Sequence, residues 1–258
     1  MRNLTETGAR INSKIGKAIH DHQLIEQEDR ILIAVSGGKD SLTMLTLLSA
    51  ISTWAPVGFT LLGIYVEPDL PVDMSGQRRA AEKLFRQAGI DYTVRKMNVL
   101  DREGETSCFW CSWNRRKVIF QTAAEMRCNK VALGHHKDDI AETMLMNLLF
   151  NGEISAMNPK QEMFAGKITL IRPLCYVEEK WISRFARESG FPQEKFNCPF
   201  GEDSKRNLIK KFIRETGKLT PGINISTNIF NSISRIRQDY IALTPQEEQP
   251  LPHQKKPD

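Results

Sequence analysis

The sequence predicts an α/β protein built on a five-stranded parallel sheet with helices on both faces, and three observations carry that expectation. Short apolar runs alternate with longer amphipathic stretches along most of the chain. Those runs are continuous, as strands buried on both faces should be. A glycine-rich turn follows the first run and opens an amphipathic stretch, the junction at which an open α/β sheet binds phosphate.

Residues 1–28 read as a leading helical segment, with Ile11, Ile15, Ile19 and Leu24 at loosely helical spacing. The body, residues 29–190, pairs a strand at Ile31–Val35 with a helix over Leu42–Ser49, Leu61–Val66 with Ser75–Ala88, and Tyr92–Met97 with Asn114–Met126. Val131–Gly134 then precedes Asp138–Phe150, and Ile168–Ile171 precedes Glu178–Ser189. After Gly190 the pattern breaks down, and Pro192, Pro199, Gly201, Pro221 and Gly222 punctuate a basic extension over 191–243. The last stretch, 244–258, reads as a disordered tail.

The 258 residues are 40% hydrophobic and 26% charged, which excludes global disorder and repeat polymers. Lys plus Arg number 36 against 31 for Asp plus Glu, a surplus that matters only where it clusters. Five cysteines are too few and odd in number for a disulfide scaffold, and MRNLTETGAR lacks an apolar secretion segment. A reducing cytoplasm is the expected compartment. No apolar run approaches the roughly 18 residues of a membrane span, so no membrane partner is expected.

The turn Ser36, Gly37, Gly38, Lys39, Asp40, Ser41 carries the first chemistry. Glycines let backbone N–H groups approach a ligand, the helix N-terminus offers partial positive charge, and Lys39 with two hydroxyls can reach phosphate oxygens. It is not a Walker A loop, because Ile33 occupies the first glycine position and Asp40 follows Lys39. The plain alternative is a glycine-rich turn with Asp40 as a cap. Neighbouring strand ends should complete a nucleotide pocket, which brings Ile64, Tyr65 and Val66 toward an adenine. At the end of the fourth run stand Gly134, His135, His136, Lys137, Asp138 and Asp139, with Glu142 beyond. A helix cap at Asp138 or Asp139, an ordinary histidine pair, or a zinc site from His135, His136 and Asp139 are the other readings there.

Cys108 and Cys111 form a Cys-x-x-Cys, placed in a loop just before a helix rich in Arg115, Arg116 and Lys117. A redox dithiol, half a metal site and coincidence all fit the pair alone; a thioredoxin motif should follow its own first strand, already used here by the glycine turn. Cys198 is the best third ligand, whereas Cys128 and Cys175 sit in apolar patterns as small buried hydrophobes. Three thiolates would hold three irons of a [4Fe–4S] cluster and leave one open; zinc with a histidine or water remains the alternative. Basic clusters at Lys205, Arg206, Lys210, Lys211, Arg214 and Lys218, at Arg78, Arg79, Lys83 and Arg86, and at Arg115–Lys117 suit a phosphate backbone or simply a solvated helix face. Trp110 and Trp113 could stack on an extruded base or pack into the core.

SGGKDS is similar to the SGGxDS signature of PP-loop ATP pyrophosphatases, which bind ATP by this loop on the first strand of a Rossmann-like sheet and cleave between the α and β phosphates. GHHKDDIAET resembles the GHHxDD element that borders the ATP site in PP-loop tRNA-modifying enzymes. With CFWCSWNRRK, the longer GHHKDDIAETMLMNLLFNGEISAMNPK and IRPLCYV, the chain from Arg30 to Asn207 resembles the TtcA family of tRNA 2-thiocytidine synthetases. The resemblance implies ATP bound by Ser36, Gly37, Gly38, Lys39, Asp40, Ser41, Tyr65, Val66, Gly134, His135 and Asp139. It also implies an oxygen-sensitive [4Fe–4S] cluster on Cys108, Cys111 and Cys198. Gly201 stands where the family often has a further cysteine, and lysidine-synthetase relatives lack the cysteine trio. Asp40 and Asp139 are the candidates for Mg²⁺, since hard oxygen ligands suit a cation bridging phosphates.

The implied activity is ATP-dependent thiolation of cytidine 32 in the tRNA anticodon loop, with Lys39, Asp40 and the three cysteines as catalytic residues. Implied partners are tRNA and a cysteine desulfurase or other sulfur donor, with a homodimer admitted. The alternatives are a PP-loop adenylating enzyme for another tRNA base or a small molecule, and a non-catalytic iron–sulfur RNA binder.

Overall fold

The computed structural model describes residues 4–101, 104–192 and 205–240. Helix α1 (Glu6–His22) precedes β1 (Arg30–Val35), α2 (Lys39–Ser52), β2 (Thr60–Pro68), α3 (Ser75–Ala88), β3 (Tyr92–Met97), α4 (Cys108–Glu125), β4 (Lys130–Ala132) and α5 (Lys137–Phe150). A hairpin of β5 (Lys160–Met163) and β6 (Ile168–Ile171) comes next, followed by α6 (Glu179–Glu188), α7 (Lys205–Leu219) and α8 (Ile225–Ser232). The sheet runs β3-β2-β1-β4-β6-β5, with every pair parallel except β5 against β6. The chain lays β2 and β3 outward on one side of β1, then returns to place β4 on the other. That reversal opens a crevice beyond the carboxyl ends of β1 and β4.

Period-two alternation divides the core between the two sheet faces. Ile31, Ile33 and Val35 of β1 and Leu61 and Tyr65 of β2 pack in one cluster with α1, α2 and α6. Leu32, Leu62, Ile64 and Val66 pack in the other with Met97, Val99 and Ile119. Gly63 interrupts the apolar run of β2 because Phe85 of α3 lies directly on it: an added Cβ would fall 2.2 Å from that ring. Phe85 in turn stacks on Tyr92 at 4.9 Å between centroids.

All five expected strands are present and mutually parallel, and the structure adds a sixth. Residues Lys160–Met163 form an antiparallel edge strand whose polar sequence, at best half-buried, gives no apolar run to announce it. Its hairpin closes through Phe164, Ala165 and Gly166, all at positive φ. The fourth expected helix begins at Cys108 rather than Asn114, because the Ser107 side chain caps it, accepting the Trp110 N–H at 3.1 Å. The Cys-x-x-Cys is therefore the first turn of α4 and not a preceding loop. Beyond Gly190, α7 and α8 occupy a stretch whose prolines and glycines read as irregular; Pro221 and Gly222 lie between the two helices. Only Ile209 of α7 is buried, although Leu208, Ile209, Phe212, Ile213 and Leu219 recur at helical spacing. Among the described residues no helix is long and apolar enough to cross a membrane.

Gly63→Val should destabilise the fold by about 1–3 kcal/mol through overpacking against Phe85. Urea unfolding would measure it, and an unchanged midpoint would mean that α3 stands farther from β2 than described.

Candidate nucleotide and thiol site

A cavity of about 500 Å³ lies in the crevice at the strand reversal. Ser36, Asp40 and Ser41 contribute one wall, Gly134, His135 and Asp139 a second, and Ile64 and Val66 an apolar floor. Thr106, Ser107, Cys108, Cys111, Ser112, Arg115 and Arg116 close it from α4 and the turn before it.

The glycine turn is built by close approach. Gly37 takes φ 78°, and a Cβ there would lie 2.5 Å from Cβ of Gln77, so no other residue fits. Ser41 Oγ donates to the Gly38 carbonyl at 2.9 Å and accepts the Ser36 N–H at 3.1 Å, which folds the turn onto itself. No side chain caps α2, so its first-turn N–H groups remain available to an anion. Gly134 lets the second turn approach the first, since a Cβ there would sit 3.1 Å from the Ser41 nitrogen.

Three carboxylates converge on buried His136: its Nε2 lies 3.8 Å from Asp40 Oδ1 and 3.4 Å from Asp139 Oδ2, and its Nδ1 3.8 Å from Asp138 Oδ2. His136 also caps α5 in a reciprocal box with Asp139. Burial opposes ionisation of Asp139, yet His136, His135 and Arg206 outweigh it and hold the carboxyl below its ordinary pKa. Burial, reinforced by Arg172, Arg206 and Arg116, pushes His135 well below the usual histidine range, so its ring is neutral near pH 7. Among the described residues, no group of three His, Cys, Asp or Glu is arranged to hold a metal, which removes the zinc reading for His135, His136 and Asp139.

Among the described residues, four buried polar atoms on the cavity wall have no hydrogen-bond partner: Thr106 Oγ1, Arg115 Nε, His135 Nδ1 and Asp40 Oδ1, the last approached by Lys39 Nζ at 3.1 Å as an ion pair. Such atoms need a polar ligand or water. Together with the uncapped α2 they fit a phosphorylated, base-bearing ligand. The cysteine side chains supply soft sulfur donors on the same wall, chemistry that fits an iron–sulfur group once a third thiolate joins. Cys198, the expected third, lies outside the described residues, as does Gly201. Cys128 and Cys175 are buried elsewhere, and burial pushes the Cys175 thiol up to about 12.

Not every expected residue reaches the cavity. Tyr65 points to the opposite sheet face and is fully buried in the core; strand alternation sends Ile64 and Val66 inward instead. Gly37, Gly38 and Lys39 stand beside the cavity, not on its wall. Lys39 Nζ pairs with Asp40 at 3.1 Å and Glu179 at 2.8 Å. Burial disfavours its charge, but those carboxylates prevail and raise its pKa. In the C-terminal basic cluster, Arg206 pairs with Asp139 and Glu142, and Lys210 with Glu142. Those two cations therefore fasten α7 to α5 while staying partly open to solvent. Arg78 and Arg86 likewise pair with acidic neighbours. Trp110 and Trp113 are neither core residues nor part of the cavity wall.

The PP-loop domain family ATP_bind_3 matches residues 8–216. The tRNA-cytidine(32) 2-sulfurtransferase of Ralstonia pickettii is 36% identical over 242 residues, covering 91% of this chain and 75% of that protein. Its namesake in Pectobacterium carotovorum subsp. carotovorum is 35% identical over 247 residues, covering 93% and 78%. The chain belongs to the PP-loop family, on its tRNA-cytidine 2-sulfurtransferase branch. The fold of this PP-loop protein is also that of the U34-tRNA thiolase NcsA from Methanococcus maripaludis, solved with its [4Fe-4S] cluster. The TM-score is 0.73 at 23% identity, covering 88% of this chain and 77% of that one.

Sequence reasoning missed Glu179 as the partner of Lys39 and Thr106 as a wall residue; neither carries a motif signal. It found Arg115 and Arg116 as part of a surface cluster, whereas helix phase turns them inward.

Glu142 supplies a pH test. Burial, with Asp139 and Glu179 nearby, pushes its pKa from 4.5 to about 7 despite Lys210 and Arg206. Between those values the folded chain holds a proton that the unfolded chain has released, so this group makes stability fall as pH rises across the window. Glu142→Gln should remove that slope: measured by urea unfolding at both ends, the variant gains on wild type toward higher pH. A difference independent of pH would place Glu142 in water.

Proposed function

We propose that this PP-loop protein is an ATP-dependent tRNA thiolase that replaces the 2-oxygen of cytidine 32 with sulfur. The observation that carries the reading is that glycine turn and cysteine pair face a single cavity. The relatives bear the name of this reaction, and their branch is the chain's own.

The chemistry follows from a poor leaving group. Attack of the cytosine 2-oxygen on the α-phosphorus of ATP breaks the bond to the β-phosphate bridge, releases pyrophosphate and leaves an adenylated base. A sulfide-level nucleophile, HS⁻, then attacks C2, the C2–O bond breaks, AMP leaves carrying the former 2-oxygen, and the S–H proton is lost to water. The uncapped N–H groups of α2 would donate to phosphate oxygens as charge builds. Lys39, next to that helix end, would offset the charge of the departing pyrophosphate. Asp40 and Asp139 supply hard oxygens for Mg²⁺, which would neutralise the phosphates. Arg115 and Arg116 place two cations on the wall that carries the cysteines, where anionic sulfur and phosphate must coexist.

Cys108, Cys111 and Cys198 would hold the [4Fe–4S] cluster, which when bound would supply sulfur to the activated carbon. Arg206, eight positions beyond Cys198, docks on Asp139 at the cavity wall at 3.3 Å. A cysteine desulfurase or another donor would replenish the sulfur in the cytoplasm.

The test is an anaerobic incubation of purified protein with ATP and unmodified tRNA, followed by pyrophosphate assay and mass analysis of the digested tRNA. The expected products are pyrophosphate and 2-thiocytidine; pyrophosphate with a different modified base would overturn the substrate assignment. Asp40→Ala should abolish pyrophosphate release with iron content unchanged. Cys198→Ser should lower iron and sulfide content with ATP binding retained, and an unaltered visible absorption spectrum would remove Cys198 as a ligand.

A further inference from the structure

Helix α4 has two differently equipped faces. Cys108, Cys111, Ser112, Arg115 and Arg116 line the cavity. At about 100° per residue, Trp110, Trp113 and Lys117 fall on the opposite side. The two indoles are 47% and 46% exposed. They stack with centroids 5.3 Å apart and planes 9° from parallel. Lys117 Nζ lies over the Trp113 ring, 5.5 Å from its centroid.

The order along the helix decides what remains open. Trp110 is one turn before Trp113 and Lys117 one turn after it, so along the helix Trp113 lies between the other two members of the stack. Trp110 keeps its outer face uncovered by this ladder. Its backbone is fixed at both ends: the N–H donates to Ser107 Oγ at 3.1 Å, and the carbonyl accepts from Asn114 Nδ2 at 3.0 Å. No acidic residue occurs on α4 before Glu125. A rigid aromatic face with a cation in the same stack and no nearby carboxylate on its helix complements a nucleobase on an anionic backbone.

We propose that the open face of Trp110 is a stacking site for an unpaired nucleobase flanking the one that enters the cavity, with Trp113 as the positioning residue beneath it. This rests on the RNA-substrate reading above and adds a second contact to it. The face points away from the cavity, so its occupant is a neighbour of the target and not the target itself. A base within a duplex has no free face to offer, so the site recognises single-stranded loops. The RNA strand then passes around the first turn of α4, one base on each side.

The test uses the full chain, purified anaerobically, and two labelled RNAs followed by fluorescence anisotropy: a hairpin with an open loop and a fully paired duplex of the same composition. Trp110→Ala should weaken hairpin binding about tenfold and leave duplex binding within about twofold. Trp110→Leu, which keeps apolar bulk without a ring, should behave like alanine, and Trp110→Phe should recover most of the hairpin affinity. An unchanged visible absorption spectrum in each variant would show that the cysteine turn is intact. Equal hairpin binding by wild type and Trp110→Ala overturns the proposal, as does equal loss for hairpin and duplex, or a change in self-association with protein concentration. Failure of the wild type to bind either RNA overturns the RNA reading itself, and the stacking site with it.

Discussion

The site depends on one close approach, that of the two turns leaving β1 and β4. Gly134 lies so near Ser41 that a Cβ would be 3.1 Å from the Ser41 nitrogen and 3.2 Å from its Cα. Because the strand order reverses between these strands, α2 and α5 start side by side at the crevice, and Ile140 of α5 packs in the same core cluster as α2. Their N-termini are not equivalent. The end of α5 is satisfied by the reciprocal box between His136 and Asp139, whereas the end of α2 has no side-chain cap. An incoming anion therefore meets unsatisfied N–H groups only on the glycine-turn side, which orients a phosphate chain before any side chain acts.

Charge is then distributed so that four helices are fastened around that opening. Glu179 of α6 holds Lys39 of α2, Asp40 and Asp139 share His136, and Arg206 and Lys210 of α7 reach Asp139 and Glu142 of α5. Carboxylates alternate with Lys, His and Arg side chains along this chain of contacts, and most of its members are half-buried, where pairing is screened less than at an open surface. A cost accompanies it: Glu142 is desolvated enough that its pairing with two distant cations does not restore an ordinary pKa. Two of the cations of α7, Arg206 and Lys210, are drawn into pairs with α5, whereas Lys205, Lys211, Arg214 and Lys218 remain exposed and available to an external polyanion.

The strands were legible because burial on both faces imposes continuous apolar runs, and the glycine turn because backbone approach admits only glycine at Gly37. Edge strand β5 was hidden, since a strand with one partner needs no apolar sequence. The start of α4 was hidden too: Ser107 is an ordinary cap residue, and two cysteines with two exposed aromatics give no amphipathic signal. Tyr65 shows a different limit. Placing Ile64, Tyr65 and Val66 together at the pocket ignored the alternation that a strand enforces, and side-chain direction decides against Tyr65. The pairing of Lys39 with Glu179 joins residues far apart in the chain, and no local pattern encodes it.

Helix phase explains how one short segment serves two surfaces. Cysteines spaced three residues apart share a side of a helix, and Arg115 and Arg116 extend that side by one further turn. Ser112 shares that side, but helix phase sends Trp110 and Trp113 elsewhere, so these aromatic positions stay out of the cavity while α4 starts at Cys108. Had the pair been in a loop, each side chain could have turned independently, and the indoles could have closed over the ligand. The Ser107 cap removes that freedom. It commits sulfur to the inside and aromatic rings to the outside, which makes the first turn of α4 a partition that a bound strand must go around.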